Sequence, residues 1–180
     1  VYAACSTLTL SLIIGSSFLD SNYGNYILAS ASSHNATSER QFRYPTEYGG
    51  QKPSSLTSTA TGCGVALLSS VPSFIKVTKA TLGRVVESSI SDAQDLGRAM
   101  APACCETLRN HLHDFCVTPD EYDLILTGDL STYGSSCFRK MAEAYGIKLG
   151  NNYFDSGLML YDLEKQDVHA GGSGCGCVSL

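Results

Sequence analysis

Basic residues are scarce in this chain. Lysine and arginine number 12 against 17 aspartates and glutamates, the formal net charge is −5, and no basic run occurs. That argues against a nucleic-acid partner, because such binding relies on clustered Lys/Arg to displace counterions. Long apolar runs are missing too. The best, Leu8 to Leu19, is broken by Ser and Gly and falls short of the roughly 20 residues a membrane helix needs. No basic residues precede it, so it does not read as a signal peptide. There is no initiator Met, and the chain starts in an apolar segment, which sets up the expectation of an N-terminally incomplete chain. Cys-x-x-Cys pairs are also absent. The 8 cysteines include the adjacent Cys104 and Cys105 and the pair Cys175 and Cys177. In a chain larger than the small scaffolds that depend on bridges, such spacings favour reduced thiols and a cytosolic setting over a disulfide framework.

What is present is a globular composition. Apolar residues make up 43% and charged residues 16% of 180 residues, enough for one ordinary domain with a sizeable core. Ser6 to Leu19 reads as a buried helix, Asn25 to Ala31 as a strand, and residues 32–55 as a long polar loop carrying Arg40, Arg43 and Lys52. Loops of that length are usually functional or mobile. "TATGCGVALLS" (59–69) reads as a core strand. Phe74 to Ser88 reads as another, with Val77, Leu82, Val85 and Val86 in the core. Met100 to Cys116 has helical spacing of Met100, Cys104, Leu108, Leu112 and Phe115, with Pro102 in the first turn. A turn at Thr118-Pro119 leads to a buried strand, Tyr122 to Thr127. A helix over Ser135 to Tyr145 follows, with Phe138, Met141, Ala142 and Tyr145 on one face and Gly146 as its C′ residue. "GLMLYD" and "GSGCGCVSL" read as two final strands. The alternation defines an α/β class with a mixed or largely parallel sheet.

Several residues are equipped for chemistry. Cys5 lies at the start of the first helix, where unpaired N–H groups and the helix dipole favour a thiolate. It reads either as an acyl-accepting nucleophile or as a small buried thiol, and taken alone the second reading is favoured. His34 follows a strand and is either a base or a loop residue. His169 stands in "DVHAGGSGCGC", where Gly171 and Gly172 give either an anion-binding nest or a tight turn. His111 and His113 read as surface or packing residues. Cys175, Cys177 and His169 are three soft zinc ligands in principle, but the spacing speaks against a zinc site. Asp129 and Asp155 both follow strands, where ligands meet α/β sheets; the alternative for each is helix N-capping.

"AACST", "TATGCGVALLS" and "HAGGSGCGC" together resemble the thiolase-like superfamily. "SSHNATSERQFRYPTEYG", "AMAPA", "YDLILTGDL" and "QDVHAGGSGCGC" resemble, within it, the SpoVAD family of spore-forming Firmicutes, over essentially the whole chain. The resemblance implies a thiolase-like fold of two similar α/β halves, layered α/β/α/β/α, with an N-terminal portion missing. Residues 1–73 would finish the first half and 74–180 form the second. Condensing enzymes of this fold pair their cysteine with His/His or His/Asn helpers. The matching "LTGDL" has no histidine, and "NYFDSGLML" offers Asp155 and Ser156 instead. Cys5 would then line an inherited pocket without its proton acceptor or oxyanion donors, each lost donor costing about 10²–10³ in rate.

The resemblance further implies a non-catalytic binding protein for dipicolinic acid, taken up by the developing spore as its calcium chelate and released in germination. It implies no cofactor and no resident metal. Cys5, Ser33, His34 and the Gly62–Gly64 segment would form the pocket wall. Carboxylate oxygens would meet Gly171, Gly172, His34 and Arg40 or Arg43, with Asp129 and His169 completing the set. Arg40 and Arg43 read equally well as local ion-pair partners of Glu39 or Glu47. Other SpoVA-type membrane proteins are the expected partners, through peripheral association with the spore inner membrane. Homodimerisation of the complete protein is a further expectation. The enzymatic alternative is acyl transfer with Cys5 as nucleophile.

Overall fold

A computed structural model describes residues 3–34, 53–166 and 168–173. Helix α1 (Thr7–Asp20) leads into strand β1 (Tyr26–Ser33). Strands β2 (Ser58–Thr59) and β3 (Gly62–Ser69) follow, then helix α2 (Leu96–Asp114), strand β4 (Ile125–Thr127) and helix α3 (Ser131–Ala144). Strand β5 (Tyr153–Asp155), the short helix α4 (Ser156–Met159) and strand β6 (Gly172–Ser173) complete the described order. The strands pair as β1 with β3, antiparallel, and as β2 with β6 and β4 with β5, both parallel. The class is mixed α/β.

All three long helices end the same way. Asn22, Cys116 and Gly146 each adopt a positive φ one residue past the C-cap. In each case two backwards N–H bonds tie off the last turn, for example Gly146 to the Glu143 carbonyl at 2.9 Å and Ile147 to that of Ala142 at 2.8 Å. This is the Schellman arrangement, and Gly146 fills the C′ position expected of it. At α1 the accompanying apolar contact is the stack of Tyr23 on Phe18, 5.5 Å between centroids.

The main core lies between α2 and α3, with β5 beneath. Ala101, Cys105, Leu130, Phe138, Ala142 and Tyr153 are buried together, and Met100, Cys104, Leu108 and Met141 pack around them. The two helices touch backbone to backbone at Gly97 and Gly134. A methyl group on Gly97 would collide with the Leu130 carbonyl, and one on Gly134 with the backbone of Gly97. Helix α2 starts earlier than its apolar spacing predicts because Asp95 caps it, accepting the Arg98 N–H at 3.2 Å. Pro102 therefore falls inside the helix rather than in its first turn. There it can donate no hydrogen bond to the Arg98 carbonyl.

Other expectations also change. Helix α1 is not a buried helix: Gly15 is its only buried residue, set against Ile27 and Leu68 of the β1–β3 ribbon. The 59–69 strand is not a core strand. It begins at Gly62 and lies in a two-stranded ribbon whose outer face exposes Tyr26, Leu28, Val65 and Leu67. Residues 74–88 form no strand, and Val77, Leu82 and Val85 are exposed, with Val86 half-buried. Among the described residues this segment has no strand to pair with, so its apolar alternation finds nothing to bury against. Tyr145 is exposed instead of joining Phe138 and Ala142. "GLMLYD" opens as helix α4, not as a strand, because Asp155 caps it by accepting the Gly157 N–H. The stretch from 174 onward lies outside the described residues, as does most of the long loop, including Arg40 and Arg43.

Candidate functional site: a buried polar junction at the strand ends

Strands β4 and β5 run parallel, so Thr127 and Asp155 end them side by side. Each strand then turns into a helix, α3 or α4, and the two helix starts share one acceptor. Asp155, 2% exposed, takes the Thr127 hydroxyl at 2.7 Å and the Leu130 N–H at 3.0 Å on Oδ2. On Oδ1 it takes the Ser131 N–H at 2.8 Å and the Gly157 N–H at 3.1 Å. One carboxylate thus satisfies donors at the starts of both α3 and α4, groups that have no partner within a helix. Burial pushes its pKa up, while the bonds from Thr127, Ser131, Leu130 and Gly157 pull the other way.

The capping that is the alternative role for Asp129 is done from the neighbouring strand, by Asp155. Asp129 is fully buried with φ +60°, and Ser131 has φ +58°. Two non-glycine residues in left-handed conformation within three positions make a strained turn. It is held by Asp155 and by Ser156, whose Oγ accepts the Asp129 N–H at 3.3 Å. Tyr153 extends the network: its hydroxyl lies 2.9 Å from Thr127 Oγ1 and 3.0 Å from Ser135 Oγ. Burial raises the Tyr153 pKa, opposed by these two bonds. Cys104 adjoins the junction from α2. Its thiol is pushed up to about 12, first by burial and then by the charges of Asp155 and Cys105.

The glycine-rich turn docks on this junction. Ser131 Oγ donates to the Gly172 carbonyl at 2.9 Å, and Thr132 donates through both N–H and hydroxyl to the Ala170 carbonyl at 3.0 Å. On its other side the turn meets β2: the Ala170 N–H donates to the Leu56 carbonyl at 3.1 Å and the Ser58 N–H to that of Gly171 at 2.9 Å. Gly171, at φ +119°, donates its own N–H to Val168 at 3.1 Å, inside the turn. A side chain there would also press on the Gly157 carbonyl, at 2.8 Å. His169 is exposed, with φ +52°.

These contacts set Gly171 and Gly172 against Ser131 and Gly157, with Asp129 two residues before Ser131 and bonded to Ser156. Strand β2 carries the connection onward, since Ala60, next to it, accepts the buried Ser33 hydroxyl at 2.5 Å. Ser33 faces Gly62 in the β1–β3 register, and Gly64 faces Ala31. His34 is the exposed residue after β1, and Cys5 sits half-buried in the 3-10 turn Ala4–Ser6 before α1. The site therefore consists of two clusters joined through β2. Sequence reasoning passed over Thr127, Ser131, Tyr153 and Gly157. The available signal was the repeated motif of a strand running into a Thr or Asp, then a small residue, in "LTGD" and "YFDSG". Among the described residues no group of three or more His, Cys, Asp and Glu is placed to hold a metal ion, and no helix is long and apolar enough to cross a membrane.

Parallel strands running into helices whose starts share a buried carboxylate define an α/β protein with its polar junction at the carboxyl ends of the strands. The chain belongs to the stage V sporulation protein AD (SpoVAD) family, whose family model matches residues 1–180. It is 48% identical over 180 residues to Stage V sporulation protein AD of Bacillus subtilis (strain 168), covering 100% of this chain and 53% of that relative. The chain thus spans about half the length of the curated relative it matches.

Proposed function

We propose that this chain is part of a non-catalytic sporulation protein of thiolase-like fold that binds dipicolinic acid, as the free acid or its calcium chelate. In this reading it serves uptake of the acid into the developing spore and its release in germination, acting at the spore inner membrane with SpoVA-type membrane partners. Membership of the SpoVAD family over residues 1–180 carries the sporulation assignment. The geometry that favours binding over catalysis is the state of Asp155. In a condensing enzyme this strand end would present a helper able to exchange a proton. Here both carboxylate oxygens are engaged by two donors each, and a carboxylate so committed to holding helix starts is a poor general base. Ligand contacts in this reading come from Ser33, His34, the glycine segment 62–64 and loop residues Arg40 and Arg43, with Cys5 as pocket wall. A flat diacid suits guanidinium and N–H donors of this kind.

The test is calorimetric titration of the full-length protein with dipicolinate, with and without Ca²⁺, alongside incubation with an acyl-CoA. Saturable dipicolinate binding with Cys5 unmodified is the expected result. Acylation of Cys5 that disappears in Cys5→Ala, without dipicolinate binding, would replace this reading by acyl transfer. Neither response would leave a scaffold for membrane partners.

A further inference from the structure

Tyr161 acts far from its place in the chain. It follows α4, and its hydroxyl donates to the Thr59 carbonyl at 3.2 Å, 102 residues away in sequence. Its ring closes on Gly172, where a Cβ would be 2.9 Å from Tyr161 Cδ2 and 3.0 Å from Cε2. Thr59 lies on β2 and Gly172 on β6, so one half-buried side chain spans both members of the parallel pair. That pair has only two residues in each strand, and a ladder so short holds a strand weakly. The strand it steadies leads into the candidate ligand site. Ala60 accepts the Ser33 hydroxyl at 2.5 Å, and Gly62 faces Ser33 in the β1–β3 register. Gly62 and Gly64 have no side chains to fix the path of their backbone, so the segment depends on how its ends are held.

We infer that Tyr161 is a positioning residue for the ligand site: its hydroxyl holds the Thr59–Ala60 peptide so that the Ala60 carbonyl sets the Ser33 side chain and the 62–64 segment takes a fixed start. This role presupposes the reading above, in which Ser33 and 62–64 meet the ligand. The Thr59 carbonyl is part of the planar peptide that joins Thr59 to Ala60. A donor on that carbonyl resists rotation of the plane, and the plane carries Ala60 and its own carbonyl with it. Ser33 Oγ has three staggered positions open to it, and the bond to Ala60 selects one. A carbonyl that shifts lets the hydroxyl visit the others, and a ligand then finds the competent arrangement in only a fraction of molecules. The Tyr161 hydroxyl touches Thr59, not Ser33, so its effect on the ligand passes through Ala60 and Ser33.

The experiment is a double-mutant cycle in the full-length protein, built from Tyr161→Phe and Ser33→Ala and read by calorimetric titration with dipicolinate. Each change deletes a single hydroxyl and keeps the carbon framework, so the fold is retained. A neutral hydrogen bond contributes enough to change binding by about three- to tenfold. Tyr161→Phe is expected to weaken dipicolinate by that factor in the parent and to have no further effect beside Ser33→Ala. Equal losses in both backgrounds would reduce Tyr161 to a structural prop and overturn the inference, as would no loss in either. A second arm needs no ligand. The Ser33 rotamer, read by NMR couplings in serine-labelled protein, is expected to be single in the parent and averaged in Tyr161→Phe; a rotamer that stays single overturns the inference. A parent that binds no dipicolinate while Ser33 loosens in the variant would strike the reading of the ligand and leave the positioning role standing.

Discussion

Replacing Asp155 probes the junction most directly, and its four bonds allow the cost to be worked out. In Asp155→Asn the amide has one acceptor side. The cheaper orientation keeps the carbonyl toward Ser131 and Gly157 and turns the NH₂ toward Thr127 and Leu130. Thr127 can then donate to the Tyr153 hydroxyl, 2.9 Å away, and accept from the new amide. The Leu130 N–H alone is stranded. A hydrogen bond to a charged group contributes about 1.5–3 kcal/mol and a neutral one about half of that. One such bond is lost and two are weakened, while the cost of burying a charge is relieved, so the net destabilisation is about 3 kcal/mol. In Asp155→Ala three N–H groups, those of Leu130, Ser131 and Gly157, lose their acceptor, at about 1–3 kcal/mol each. The alanine variant should therefore be worse, by about 2 kcal/mol or more. Urea unfolding followed by circular dichroism measures both, with the shift in midpoint read at constant slope. If both variants stay within about 1 kcal/mol of the parent, the carboxylate does not organise the two helix starts and the reasoning fails.

Two further outcomes follow from the core. Gly134→Ala drives a methyl group into the backbone of Gly97, with no flexible side chain to give way, and should destabilise by about 3 kcal/mol or more; a thermal melt within a degree or two of the parent would show that α2 and α3 can separate cheaply. Cys104, its thiol pushed up to about 12, should be thiolate in only about one molecule in 10⁴ at pH 8, against about one in four for an ordinary thiol. Iodoacetamide should mark the exposed Cys63 and Cys116 in the native protein and reach Cys104 only on unfolding, as read by peptide mass mapping; early modification of Cys104 would contradict the burial.

The three long helices were legible because their signals are local. Apolar residues recur at helical spacing in α2 and α3, and Gly146 marks a C′ position that favours a residue free to take positive φ. The 74–88 segment was misread for the complementary reason. Alternating apolar residues become a strand only when another strand accepts their N–H and C=O groups, and that partner is not encoded within the segment. Pro102 shows the same limit on a smaller scale. Its place in α2 was decided by Asp95, whose side chain caps the helix one turn before the apolar periodicity becomes visible.

By itself, the sequence determined which stretches can be helical, where their last turns close, and the absence of the basic patches and long apolar runs that other classes of protein require. The tertiary structure alone decided that Asp155 rather than Asp129 caps α3, and that the glycine turn spends its N–H at Gly171 inside the fold. It also decided that His111 bridges two segments 30 and 11 residues away from it. Local periodicity is set by neighbours along the chain. A hydrogen-bond partner across strand ends is set by which strands lie side by side, and that is a property of the packed chain as a whole.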